Sequence, residues 1–343
     1  MRLIEKVWFH SHRAKYVIVP LLLPFTALFF LLSLLRRLCF SLRISKSFRL
    51  TKPVIVVGNI GVGGNGKTPM VIYLVELTRS LGLTPGVISR GYGGKAPSYP
   101  YLVTSQSTPA QAGDEPILIQ QRCQVAVAVG SDRIASAKLL IEQGCDVIIS
   151  DDGLQHYRLV RDLELIIVDG KRLFGNGLLL PSGPLREGKW RLSTADLVIY
   201  NGQCPIQATD KSQALEMNLK ASKLCNLQSG ESICLSEFLD KYSVVNAIAG
   251  IGSPARFFST LKESRFTIKK QQGFVDHHGF TLADFDSFED NIPLLMTEKD
   301  AVKCQTFCKS NWWYLPVDAS FTQAEQNILR DKINAVVSNS DYK

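Results

Sequence analysis

Val54-Ile-Val-Val57-Gly58-Asn-Ile-Gly61-Val-Gly-Gly-Asn-Gly66-Lys67-Thr68-Pro69 decides how this 343-residue chain is read. Gly61, Gly66, Lys67 and Thr68 satisfy the phosphate-loop spacing G-x-x-x-x-G-K-[ST]. The β-branched run before it predicts a strand, and Met70–Leu77 after it predicts a helix. In that setting, backbone N–H groups from Gly61, Val62, Gly63, Gly64, Asn65 and Gly66 turn inward toward phosphate oxygens. The helix N-terminus adds positive potential. Lys67 is expected to reach the β- and γ-phosphates and Thr68 to hold Mg²⁺.

Charge separates the chain into two unequal parts. The formal net charge is +8, yet residues 1–52 hold ten Lys/Arg against the single acid Glu5, which leaves −1 for the other 291 residues. The excess flanks Tyr16–Leu35, twenty residues without a charge. As a helix this run spans about 30 Å, the thickness of a bilayer's hydrocarbon core. Basic flanks attract anionic lipid at about 1 kcal/mol per residue. They stand at both ends, so they choose no orientation, and a spanning helix and one lying partly embedded both remain open. Pro20 and Pro24 are expected to kink it. No basic patch with interleaved aromatics follows, so no nucleic-acid partner is expected. Eight scattered cysteines without a CxxC, two of them (Cys145 and Cys234) in apolar runs, fit buried thiols in a reducing compartment.

From Pro53 strands and helices alternate, as in a parallel sheet covered on both faces. Strands are expected at 54–60, 85–89, 125–129, 145–150, 164–169 and 197–200, with helices near 69–81, 114–121 and 131–143. A second alternating set places strands at 243–249, 266–272, 293–297 and 312–317, with helices near 253–263, 281–289 and 298–308. The expected organisation is an N-terminal anchor (1–50), a P-loop-type α/β domain (51–202), a polar connection (203–241) and a smaller α/β domain (242–343).

Several short runs end strands with chemistry-bearing residues. Cys145-Asp-Val-Ile-Ile-Ser-Asp151-Asp152 puts two acids at the carboxyl edge of the sheet, where a phosphate-loop protein holds Mg²⁺. Gln155 and His156 follow at the same edge. Ser89-Arg90-Gly91-Tyr92-Gly93-Gly94 offers a guanidinium and a backbone able to approach a ligand closely. Gly113-Asp114-Glu115 and Ser131-Asp132-Arg133 open helices, where an acid also serves as a plain cap. Pro184-Leu-Arg186-Glu187 supplies another guanidinium. Asp276-His277-His278 pairs imidazoles with a carboxylate, a set suited to proton transfer. Thr297-Glu298-Lys299-Asp300 closes a further strand.

Taken in order, GNIGVGGNGKTP, SRGYGG, GDE, SDR, SDDGLQH, PSGPLRE, VDHH and TEKD behind a hydrophobic helix resemble the tetraacyldisaccharide 4′-kinase (lipid A 4′-kinase) family of Gram-negative bacteria across nearly the whole chain. The resemblance implies ATP- and Mg²⁺-dependent phosphorylation of the 4′-hydroxyl of an acylated glucosamine disaccharide 1-phosphate, at the cytoplasmic face of the inner membrane. It also implies two α/β/α domains that close around nucleotide. By motif position, Asp114 would be the base, paired with His277, which directly follows Asp276. Asp151 and Asp152 would be the acids on the metal side, and Lys67 would act on the phosphates. Arg90, Glu115, Arg133, Gln155, His156 and Arg186 would be further site residues. A membrane-associated phosphate-loop ATPase or switch is the alternative. Such ATPases place a lysine where this chain has Val62.

Overall fold

A computed structural model describes residues 3–10, 12–204 and 213–338. Residues 1, 2, 11, 205–212 and 339–343, parts of the expected anchor, connection and second domain, lie outside the described residues.

The first sheet has nine strands. Its centre is Val54–Gly58, flanked by Val147–Asp151 on one side and Leu163–Asp169 on the other, both parallel to it. Every residue of these three strands is buried. That explains why they read as continuous apolar runs rather than as alternation. Pro85–Ser89 and Ala126–Val129 extend the parallel set on one side, Leu197–Asn201 and Gln213–Lys220 on the other. Antiparallel strands Tyr101–Val103 and Asp318–Ser320 close the two edges. The register sets Val57 opposite Asp151, so the phosphate loop and the acidic pair leave the sheet at one edge.

The second sheet has six strands. Val244–Ala249, Thr267–Gly273, Leu294–Thr297 and Trp312–Leu315 run parallel, and Lys223–Asn226 and Ser232–Cys234 add antiparallel to one edge.

Four expectations need correction. The 203–241 stretch is more than a polar connection. Within it, Leu215, Met217 and Leu219 alternate with Glu216, Asn218 and Lys220 on a strand of the first sheet. The helix-favouring residue types mask that period of two. The stretch also supplies the two antiparallel strands of the second sheet and the helix Leu235–Lys241. Secondly, the last described helix packs into the core of the first sheet rather than with the second. Gln323–Val337 is a helix with a Thr322/Glu325 capping box, and Leu329 and Ile333 on it are fully buried in the first core. Thirdly, the helix expected at 281–289 shrinks to a 3₁₀ turn, Leu282–Phe285. Fourthly, Cys234 is exposed at an edge strand rather than buried, while Cys145 is buried as expected; no disulfide joins any of the eight cysteines.

The apolar N-terminal run forms one unbroken helix, Lys15–Ser41, through Pro20 and Pro24. It is long and apolar enough to cross a membrane by length and composition.

Candidate active site

The helix that follows the phosphate loop, Lys67–Ser80, starts at Lys67, so its unpaired first-turn N–H groups face the loop. Gly63 (φ 107°) and Gly66 (φ 95°) take left-handed backbone that a side chain would strain. A Cβ at Gly66 would also collide with the Asn201 amide. The loop is clamped from outside. Val62 N donates to Pro184 O (2.9 Å), Arg186 N to Ile60 O (2.7 Å) and Asn201 Nδ2 to Asn65 O (3.0 Å). The Pro184–Glu187 motif thus serves the loop through its backbone as well as its guanidinium.

Beside the loop sit the two acids. Lys67 Nζ lies 3.7 Å from Asp152 Oδ1, and Arg186 Nη1 donates to Asp152 Oδ2 at 3.0 Å. Burial alone would raise the Asp152 carboxyl; the charges of Lys67 and Arg186 outweigh it and hold the group below its usual range. Asp151 is different. Burial first, and the charge of Glu115 second, push its carboxyl up to about 7 against the pull of Lys67. Its Oδ2 accepts from Ser89 Oγ (3.3 Å), while its buried Oδ1 has no hydrogen-bond partner. A buried, unpartnered carboxylate oxygen costs free energy unless something positive meets it. Thr68 Oγ1 is near, 3.5 Å from Glu115 Oε1. These hydroxyl and carboxylate oxygens are the hard donors that Mg²⁺ takes.

Asp114 is the first residue of the helix Asp114–Cys123 and is 6% exposed. It does not cap that helix: its Oδ1 takes only the adjacent Glu115 N–H. Its Oδ2 lies 3.1 Å from His277 Nδ1, across 163 residues of sequence. Burial tends to raise the Asp114 carboxyl, but the bond from His277 and the ammoniums of Lys299 and Lys303 prevail and hold it low. The same bond raises His277. His277 itself has φ 60°, an uncommon left-handed value, and its ring packs against Tyr92 at 5.2 Å. His278 turns elsewhere. It meets Asp284 at 3.2 Å and stacks on Phe274 inside the second unit.

The other expected residues divide by what they touch. Arg133 is buried and spends its guanidinium on Ser150 Oγ and the carbonyls of Asp151 and Asp152, fixing the turn that aims the acids. Asp132 is a plain helix cap, accepting from Ile134 N and Ala135 N. Gln155 Nε2 donates to Asn59 O (3.2 Å). His156 lines the cleft with Nε2 unpartnered; burial and the nearby Arg133 push it down to about 4, so it is neutral. Arg90 is exposed at the cleft wall. Two of the glycines beside it, Gly91 and Gly94, make room for backbone. A Cβ at Gly91 or Gly94 would strike Ala112 O or Gln111 O, so their smallness lets the 111–113 backbone pack there and places Asp114.

Both units and the N-terminal helix line one cleft of about 2060 Å³ that contains the loop, Asp151, Asp152, Glu115 and His277, the last of these bonded to the buried Asp114. The second unit reaches the phosphate loop directly. A Cβ on Gly252 would come within 3.3 Å of Gly64 N.

A family model described as tetraacyldisaccharide-1-P 4′-kinase matches residues 18–336. This chain belongs to the tetraacyldisaccharide 4′-kinase family. A Colwellia psychrerythraea protein named tetraacyldisaccharide 4′-kinase is 68% identical over 338 residues, 98% of either chain. One from Vibrio cholerae is 49% identical over 337 residues, 97% of either chain. Among solved structures, LpxK from Aquifex aeolicus, crystallised in complex with ATP, superposes with a TM-score of 0.80 at 29% identity, covering 94% of this chain and all of that one.

In this family member, three cleft residues have no motif to announce them. Arg256 of the second unit pairs with Asp169 (3.0 Å) and donates to Asn201 Oδ1 (3.0 Å), whose amide holds the phosphate loop. Arg172 donates to Gly252 O (3.2 Å) and covers the Phe9 ring. Asn201 ends an apolar strand with a single amide. Asn201 stands at a strand end and Arg256 near a helix start, while Arg172 lies in the turn three residues after a strand.

Proposed function

We propose that this chain transfers the γ-phosphoryl group of ATP to the 4′-hydroxyl of an acylated glucosamine disaccharide 1-phosphate. The observation that carries the residue roles is the Asp114–His277 pair, 3.1 Å apart, whose histidine lines the same cleft as the phosphate loop. Phosphoryl transfer asks a protein for positioning, charge neutralisation and a base. In the proposed mechanism, the loop 61–68 cradles the phosphates, and Lys67 and Arg186 offset their charge. Asp114 takes the hydroxyl proton as the sugar oxygen bonds to the γ-phosphorus and the bond to ADP breaks. His277 holds the carboxylate's second face and orients it. Thr68, Asp151 and Asp152 are the residues that would hold Mg²⁺, which, when bound, neutralises charge on the phosphates. The direct test is ADP release. Release that requires the disaccharide lipid supports the kinase; equal release without it would point to an ATPase.

The two acids are expected to differ under substitution. Asp151→Asn should raise the Mg²⁺ concentration needed for half-maximal activity by about tenfold or more. Asp152→Asn should chiefly lower kcat, because it also frees Lys67 and Arg186 from their shared partner. If a Mg²⁺ titration moves in neither variant, the metal assignment is wrong.

The membrane reading favours a helix lying on the membrane rather than across it. One stripe of Lys15–Ser41 docks on the first unit: Val19 O and Thr26 Oγ1 meet Ser182 Oγ at 3.4 and 2.8 Å, Arg37 covers Trp190 at 3.6 Å and Phe40 packs on Tyr157. The opposite stripe, Val17, Leu21, Phe25, Leu28, Leu32 and Leu35, is exposed at helical i, i+3, i+4 spacing. Docking from 19 to 40 occupies about 31 Å of helix, leaving no free length to span a bilayer. The exposed stripe and basic flanks fit the cytoplasmic face of the inner membrane, with the cleft opening toward acyl-chain-bearing substrate. Leu28→Asp with Leu32→Asp is expected to weaken sedimentation with anionic vesicles by at least about tenfold, since each buried Leu contributes about 1.5–3 kcal/mol. ATP affinity should stay unchanged. Full vesicle binding by the double variant would show that another surface anchors the protein.

A further inference from the structure

Lys299 is the third residue of the Thr297–Asp300 run, on the first turn of the helix Glu298–Cys304. Its ammonium is largely buried and faces three carboxylates: Glu115 Oε1 at 3.1 Å, Asp276 Oδ1 at 3.7 Å and Asp114 Oδ2 at 3.9 Å. Two of these come from the first unit. The third, Asp276, precedes His277 and also accepts the His277 N–H at 3.1 Å. One cation therefore touches the base carboxylate, its neighbour and the turn that presents the histidine. That turn needs holding. His277 sits at φ 60°, a conformation that persists only where surroundings enforce it.

The helix carrying Lys299 is fixed against the helix carrying Asp114. Arg122 grips both carboxylate oxygens of Glu298 at 2.7 and 2.8 Å, and Gln121 exchanges hydrogen bonds with Gln305. Lys303, one turn on, lies 3.9 Å from Asp114 but is committed to Asp300 at 2.9 Å and to the His278 carbonyl. Asp300 in turn is fully buried and ties down Gly250 N and Thr297 Oγ1. Lys303 thus belongs to the second unit's own framework. Lys299 instead joins Asp114 and Glu115 to the Asp276–His277 turn across the seam.

We propose that Lys299 is a positioning residue for the phosphoryl-acceptor step, its ammonium joining Asp114 and Glu115 of one unit to the Asp276–His277 turn of the other and keeping Asp114 charged and aligned. The inference rests on the reading of Asp114 as the base. The groups facing the Asp114 carboxyl are His277 from the turn and Lys299 and Lys303 from the helix, with Glu115 beside it. Burial pushes the carboxyl up, and these cations together bring it below its usual range. Removing one cation lets it rise. A base must be deprotonated to act, so the acid limb of the rate profile then moves to higher pH.

The test is the pH dependence of kcat with ATP, Mg²⁺ and the disaccharide lipid in detergent, for Lys299→Gln, Lys299→Arg and Asp114→Asn, alongside melting temperature and ATP affinity. Lys299→Gln is expected to lower kcat about tenfold or more and to displace the acid limb upward by about one pH unit, the scale for losing an opposite charge at this distance. ATP affinity should stay within about twofold, because a base acts in the transition state. Lys299→Arg keeps the charge and should leave the limb in place while recovering part of kcat. An unmoved limb in Lys299→Gln, with Asp114→Asn inactive, overturns the role of Lys299 and spares the base. A displaced limb in the charge-conserving Lys299→Arg also overturns it, and decides the matter should the Gln variant prove unstable. An active Asp114→Asn enzyme overturns the base assignment itself.

Discussion

Lys67→Ala is expected to lower kcat by at least about a hundredfold, the loss seen when one preorganised charge facing a transition state is removed. The residue stands at the first position of its helix, with its ammonium 3.7 Å from Asp152 and little exposed. Its strongest interactions arise with charge that builds on the transferring group, so kcat should fall further than ATP affinity. The fold should survive. Asp152 keeps Arg186 at 3.0 Å, so truncating the lysine strands no unpaired charge. Melting temperature and kcat measured on one preparation check both halves. A folded Lys67→Ala protein with near-normal turnover would remove the phosphate-loop assignment.

The second large effect concerns Asp114 and His277. Asp114→Ala and His277→Ala should each slow kcat by about a hundredfold or more with little change in nucleotide KM, since general-base catalysis contributes on that scale. The double change should cost far less than the product of the two singles, because either removal already disables the pair. If Asp114 were only a helix cap, its loss would cost about 1 kcal/mol of stability and leave turnover intact; the N-cap position belongs to Gly113, and Asp114 accepts from that helix the single N–H of Glu115 while its other oxygen meets His277. Stability carries a matching signature. Asp114 is held below its unfolded value, so its contribution is present above that value and fades as pH falls through the folded one. His277 is held above its unfolded value, so its contribution is complete below that value and fades as pH rises through the folded one. The pair should therefore stabilise the fold between those two limits, and His277→Ala should flatten the alkaline side. Strictly multiplicative kinetic losses in the double variant would dissolve the pair.

Local runs with a chemical reason for their order were legible in the sequence. The phosphate loop and the buried strand ending at Asp151-Asp152 announce themselves by spacing, whereas the pairing of Asp114 with His277 came from the family resemblance. The parallel sheet follows from apolar runs buried on both faces. Long-range pairing was not legible. Nothing near Leu215–Leu219 says that this alternation joins the first sheet, and nothing near Leu329 and Ile333 says that their helix returns to its core. Asn201, Arg172 and Arg256 escaped because an isolated amide or guanidinium reads as surface until the fold sets it against the phosphate loop. The SRGYGG glycines were read as space for a ligand. The neighbour of Gly91 and Gly94 is instead the 111–113 backbone, a contact between segments some twenty residues apart that residue types alone do not reveal. The N-terminal helix was legible as an anchor, whereas its docked stripe became visible only when Ser182 was placed beside Thr26.

The central claim, that this cleft moves a phosphoryl group from ATP to the sugar of a membrane lipid, comes down to the mass of one product. The full-length protein is incubated with ATP, Mg²⁺ and the tetraacylated disaccharide 1-phosphate in detergent, and the extracted lipid is weighed and fragmented. The expected result is a lipid heavier by one phosphoryl group, carried on the 4′-oxygen of the distal sugar, and its absence with Asp114→Ala. ADP formed with the lipid unchanged, or a phosphate at any other position, would contradict it.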